Sequence, residues 1–225
     1  MPERQQRNAC RLPKSRDRAV SPSSVHRLAS SRPASGFTLI EVLVALVIVS
    51  VALLGIAQLI ARGQRASFEA YQRQQAVTLA NDMAERIRAN RMQAAAYAAG
   101  APAGTPVGAG NRFADLLLGA IPNCALVVCT PQQLVVYDLA YWDGLLQGAG
   151  ERDTATGTLI GGIVHARGCV EVTAPAAPPA NLTTYRVSVA WQGESETVAP
   201  TATTCADGQY GTANRRRVVT LDLRV

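Results

Sequence analysis

The sequence predicts an α+β protein, a long N-terminal helix set against an antiparallel sheet made by the C-terminal third. Three observations carry this. An apolar run from Phe37 to Ala61 passes into a stretch with apolar residues every three or four positions. No proline interrupts the chain from 37 to 101. From Thr158 onward the hydrophobic period changes to two, the period of a strand with one covered face.

In chain order, residues 1–36 are a Pro/Ser/Arg-rich segment with eight Arg or Lys against two acids, while residues 37–225 hold fourteen of each. The formal charge of +6 therefore belongs wholly to the leading segment. A basic face for nucleic acid has no support in the remainder, and no nucleic-acid partner is expected. Residues 37–61 exceed the roughly 20 residues that a helix needs to cross a bilayer, and are too long for the apolar region of a cleavable secretory signal. Phe37, Leu39, Ile40, Val42, Leu43, Leu46, Ile48, Leu53, Leu54 and Ile56 supply the apolar surface of this anchor. Flanking arginines are balanced three against three, so only the whole basic tail places the N-terminus inside.

Residues 62–98 continue the helix in amphipathic form, with Phe68, Ala76, Leu79, Met83 and Ile87 on one side. The two parts together would make one rod of about 60 residues, about 90 Å long. Its expected weak points are Gly55 and Gly63. Residues 99–157 are a linker and short helices. "GAPAGTPVGAG" ends the rod, and no Gly-Lys-Ser/Thr follows to make it a phosphate loop. A first short helix is expected near 111–118. A second is expected over 130–147, with Thr130 as cap, Pro131 at its first position and Gln133 closing a capping box. Leu134, Leu139, Trp142, Leu145 and Leu146 would form its buried side. Asp138 and Asp143, five residues apart, would face different ways on a solvated surface.

Residues 158–225 read as the sheet. Four strands are expected: 158–165 and 168–174 as a pair turned at 166–168, one around Tyr185 to Trp191, and one from Val219 to Val225. "PAAPPAN" at 175–181 is a loop, and Arg215 to Arg217 form the polar entry to the last strand.

Four cysteines lie beyond the apolar run: Cys124, Cys129, Cys169 and Cys205. An even number fits disulfides in an oxidising compartment, the periplasm. Zinc is the competing use, but only Cys124 and Cys129 have the close spacing of a zinc knuckle. Cys124 and Cys129 are near enough to staple the turn before the 130–147 helix, leaving Cys169 for Cys205, although sequence alone does not fix the pairing. After Gly36 the only histidine is His165, within an expected strand, and no nucleophile motif accompanies it. No catalytic set, metal or cofactor is expected.

One carboxylate, Glu41, sits in the anchor. An acid inside a spanning segment is uncommon and usually has a partner. It follows a Gly-Phe junction in "GFTLIEVLVALVIVS". This stretch resembles the N-terminal motif of type IV pilins and pseudopilins, matched at Gly36, Phe37, Thr38, Leu39, Ile40 and Glu41. The resemblance implies leader cleavage between Gly36 and Phe37 by prepilin peptidase, N-methylation of Phe37, and assembly with other major and minor pilins into a helical filament. There the new amine of one subunit would meet the Glu41 of a neighbour. It also implies residence in the inner membrane as a single-pass protein with a periplasmic headpiece, followed by transfer to the pilus at the cell surface.

Two departures stand out. The chain has Gly55 and Gln58 where major pilins usually carry a mid-helix proline, and the 36-residue leader is long for the family. "LANDMAERIRANR", "YDLAYWDGLL" and "YRVSVAWQG" further resemble minor pilins of the same family. The competing readings are a type II secretion pseudopilin, a membrane-anchored periplasmic enzyme, and a plain signal anchor with a tolerated Glu.

Overall fold

A computed structural model describes residues 36–151, 153–156, 158–159, 161–173 and 182–225. The basic leader and the 175–181 loop lie outside the described residues. The chain divides into two compact units, Met1–Val49 and Ser50–Val225.

Helix α1 runs Leu39–Ala89. Its anchor part is exposed throughout and is long and apolar enough to cross a membrane. The headpiece part buries Gln72, Ala76, Ala80, Met83, Ala84 and Ile87, a stripe at four- and three-residue steps. Alanine at 76, 80 and 84 lets neighbouring elements approach the helix closely. Phe68, expected on this stripe, is instead half exposed, and Leu79 is only partly buried.

The helix does not continue to 98. It ends at Ala89, and Asn90 leaves the helical region with its amide Nδ2 donating to the Pro131 carbonyl at 2.8 Å. An asparagine that can bond elsewhere competes with the helical ladder. A 3₁₀ turn, Arg91–Gln93, and a short helix α2, Ala94–Gly100, follow. The break thus falls at Asn90, and α1 runs unbroken through Gly55 and Gly63.

Helix α3 spans Asn111–Leu117 and α4 spans Pro131–Leu146. The capping box of α4 forms as its sequence predicts. Gln133 N donates to Thr130 Oγ1 at 3.2 Å and Thr130 N donates to Gln133 Oε1 at 2.9 Å. Such a cap is worth about 1 kcal/mol. Trp142, fully buried on α4, donates its indole N–H to the Leu79 carbonyl of α1 at 3.0 Å.

Among the described residues the sheet has three antiparallel strands in the order β1 (Arg167–Thr173), β2 (Thr184–Gln192) and β3 (Arg216–Arg224). Register pairs Val170 with Val187 and Val187 with Leu221. Among the described residues of 158–165 the expected strand is not formed, and β1 begins at Arg167, within the expected 166–168 turn. The place beside β1 is taken by the glycine-rich segment. Val107 and Gly168 exchange backbone bonds at 2.9 and 2.8 Å, and Val170 N donates to Ala101 O at 2.7 Å. Gly168 is required there, because a Cβ would collide with the Trp142 ring.

One face of the sheet presents Val170, Tyr185, Val187, Val189, Trp191 and Leu223 to α1 and α4, forming the main core. The other face was expected to be polar, yet Ser188 and Ala190 are fully buried. A loop after β2 folds back over them, and Cys169, Ala190, Cys205, Ala206 and Tyr210 make a second small core. Arg216 grips that loop, donating to the carbonyls of Thr203, Cys205 and Pro200 at 2.8, 3.0 and 3.0 Å. Of the three arginines expected as polar entry to the last strand, Arg216 is therefore a buried clamp. Arg217 instead pairs with Glu69 of α1 at 2.9 Å.

Candidate functional site

Residues Gly36 to Thr38 precede the helix in non-regular backbone. Nothing lies within 4 Å of a Cβ placed on Gly36, and Phe37 is 82% exposed. Among the described residues, none crowds the Gly36-Phe37 peptide bond at the head of α1. Thr38 O accepts Glu41 N at 3.1 Å and Val42 N at 3.4 Å, which starts the helix and puts Glu41 in its first turn. A negative side chain there complements the positive end of the helix dipole. Among the described residues none bonds the Glu41 carboxylate. Phe37, Leu39, Ile40, Val42, Leu43, Leu46, Ile48, Leu53, Leu54 and Ile56 are all exposed, a continuous apolar surface on one helix. Chemically this is an attachment surface with one acid, and it contains no nucleophile and base.

The headpiece holds two further carboxylates that the sequence pattern misplaced. Asp138 and Asp143 were expected on a solvated face, but they are 4% and 1% exposed. They do point different ways, each to its own partners. Asp138 accepts from Arg86 Nη1 at 2.8 Å and from the Tyr97 hydroxyl at 2.5 Å, joining α4 to α1 and α2. Arg86 also pairs with Asp82 at 2.8 Å, and its guanidinium lies 4.8 Å over the Tyr141 ring. Asp143 accepts from Gly108 N, Gly110 N and Phe113 N at 2.6, 3.0 and 3.1 Å. It thereby caps α3 from a different helix. Gly108, at φ +115, is the hinge of that turn. A signal for both acids was present in the spacing. Asp138 is three residues after Val135 and four before Trp142, while Asp143 is four after Leu139 and three before Leu146. Both belong to the buried stripe of α4.

Burial, with the bond to Asp138, holds the Tyr97 phenol above its ordinary value of 10.0, and burial does the same for Tyr210. In the unfolded chain both phenols lose protons near pH 10, while the folded chain keeps them. The stability they contribute is full below pH 10 and falls as pH rises beyond it. Urea unfolding between pH 9 and 11.5 is expected to show this decline, with a shallower slope in Tyr97→Phe. Identical slopes would exclude Tyr97 as a source.

The four cysteines beyond the apolar run pair Cys124–Cys129 and Cys169–Cys205, so among the described residues no thiolate is left for zinc. Cys169 and Cys205 are fully buried, whereas Cys124 and Cys129 are only partly buried. Mild reductant with timed alkylation is expected to open Cys124–Cys129 first, and simultaneous opening would contradict the difference in shielding. By loop length, losing the short bridge costs about 2 kcal/mol and the long one about 4 kcal/mol. His165, expected in a strand, lies outside any strand at φ 51, and its Nδ1 is 2.8 Å from Gln192 Oε1.

An exposed apolar helix led by a Gly-Phe junction and an acid, and continued into a headpiece of helices and a three-stranded sheet, defines a pilin-like architecture. A family model described as Prokaryotic N-terminal methylation motif matches residues 31–57. A second, described as Type IV pilin Tt1218, matches residues 59–140, from Leu59 of α1 through Ala140 of α4. Over these two segments the chain is similar to type IV pilins, in keeping with its pilin-like architecture. No curated protein and no solved structure matches the chain.

Proposed function

We propose that this chain is a minor type IV pilin, similar to the pilus modification protein PilV, that takes part in priming, assembly or modification of the pilus. Prepilin peptidase cleaves it between Gly36 and Phe37 and methylates the new amine on Phe37. It waits as a single-pass protein of the inner membrane with the headpiece in the periplasm, then joins other pilins in the filament at the cell surface. The observation that carries this reading is Glu41 in the first turn of an exposed apolar helix, four residues after Phe37 of the Gly36-Phe37 junction. Cleavage there makes a cation, and burying cation and acid together between neighbouring helices avoids the penalty of burying either alone. Support for the minor-pilin assignment comes from the three segments that resemble such proteins. They hold the residues that build the headpiece: Met83, Arg86 and Ile87 on α1, Asp138, Trp142 and Asp143 on α4, and Val187, Val189 and Trp191 on β2.

Glu41→Ala is expected to abolish piliation, or reduce it severely, while leader cleavage is largely retained. Immunoblotting for the processed chain together with counts of surface pili makes the check. Unchanged pili in Glu41→Ala would sink the assembly role. Mass spectrometry of sheared pili is expected to find residues 37–225. Their absence there, with presence in a secretion pseudopilus, would reassign the chain to that machine.

A further inference from the structure

Building on the proposed membrane residence, we infer that a cleft at the foot of the headpiece holds the headgroup of a zwitterionic phospholipid with a primary amine, of the phosphatidylethanolamine type. The apolar run ends at Ala61, and the cleft begins one residue later. It measures about 280 Å³ and is lined by Arg62, Arg65, Ala66 and Glu69 of α1 and by Glu194 and Ser195 of the segment after β2. Arg62 and Arg65, three residues apart, share one face of the helix.

Arg217 gives this cleft its walls. Its Nη2 donates to the Ser195 carbonyl at 2.6 Å and its Nε donates to Glu69 Oε1 at 2.9 Å, so one guanidinium ties the segment after β2 to α1. The same contact occupies the Glu69 carboxylate. Arg62, Arg65 and Glu194 are exposed, and among the described residues none of the three makes an ion pair. Two cations and one anion are thus left uncommitted around a single cleft.

Three properties select the ligand. Two guanidiniums suit the oxygens of a phosphate group, to which arginine donates in a fixed fork. Glu194 opposes a headgroup that is only anionic, and it can accept from an ammonium. A primary amine carries three N–H donors for that carboxylate, whereas a trimethylated one has none. The third property is apolar. Leu59, three residues before Arg62 and therefore on the same face, is 72% exposed. An acyl chain below the headgroup would cover it, which neither free phosphate nor an acidic peptide does. Arginines just past a spanning segment reach the headgroup layer with their long side chains, so cleft and headgroup meet at the same depth.

The test exchanges the full-length chain, in mild detergent, with equal amounts of phosphatidylethanolamine, phosphatidylcholine and phosphatidylglycerol carrying the same acyl chains. Native mass spectrometry counts the bound lipids. Ethanolamine adducts are expected to exceed choline adducts by about fivefold, the upper end for a solvent-accessible ion pair. Glu194→Gln is expected to remove that preference and to raise phosphatidylglycerol binding. Arg62→Gln with Arg65→Gln is expected to lower both zwitterionic lipids alike, with circular dichroism and both disulfides unchanged. Every variant keeps the basic leader, so its own attraction for lipid cancels in the comparison. No lipid adduct, equal binding of ethanolamine and choline lipids, a preference that survives Glu194→Gln, or a loss in the arginine variant confined to phosphatidylglycerol would each overturn the inference. Carbonate washing of cell membranes keeps the two readings apart. A chain that washes off would overturn membrane residence and the lipid site together, whereas a retained chain without the ethanolamine preference would overturn the lipid site alone.

Discussion

Asp138→Ala is expected to lower headpiece stability by about 3–5 kcal/mol, the range for removing one partner from a buried ion pair. The substitution leaves the Tyr97 hydroxyl without its acceptor inside the core and leaves Arg86 with Asp82 alone. Urea unfolding of the full-length chain in detergent can report it, because Trp142 and Trp191 are both buried in the headpiece. Tyr97→Phe removes the hydroxyl but keeps the ring and should cost less. Combined with Asp138→Ala it should be less damaging than the two effects added, with a coupling of about 0.5–3 kcal/mol. Additive behaviour, or a loss below about 1 kcal/mol for Asp138→Ala, would show that the network is incidental.

Asp143→Ala is expected to be of similar size, about 3–5 kcal/mol, by a different route. No side-chain cation is orphaned. Three backbone N–H groups, those of Gly108, Gly110 and Phe113, lose their only carboxylate. A buried donor without an acceptor keeps the full penalty of its lost hydration. Hydrogen exchange should therefore rise sharply at these three amides and across α3 before the sheet is affected. Uniform acceleration over the whole headpiece would mean instead that α3 and the sheet unfold together. Asp143→Asn, which retains one acceptor oxygen, should fall between wild type and alanine.

These two acids also show where a linear reading stops. The long apolar helix, the capping box at Thr130 and Gln133, the α+β class and the strands around Tyr185 to Trp191 and Val219 to Val225 were legible, because each depends on neighbours close in sequence. Asp138 and Asp143 were not, because charge was taken as a sign of solvent. Their partners are 52 and 41 residues away for Asp138, and 35, 33 and 30 away for Asp143. Position on the stripe was the better guide than residue type. Ser188 and Ala190 misled in the same way. A period of two reports that the two sides of a strand differ, but it does not exclude a small apolar layer on the second side. The missing strand at 158–165 failed for a topological reason, since Val107 and Ala101 had already taken the edge of β1. The end of α1 at Asn90 depends on a carbonyl at Pro131 that no local pattern displays.

The strand order has a consequence for how the headpiece comes into being. The central strand, β2, is flanked on one side by β3, which follows the other described elements in the chain. The loop over its outer face is gripped by Arg216, the first residue of β3. A chain interrupted before Arg216 thus has neither the third strand nor the clasp for the covering loop, whatever it has already built from α1 to β2. The third strand and the clasp on the covering loop therefore arrive together, with the same segment of chain.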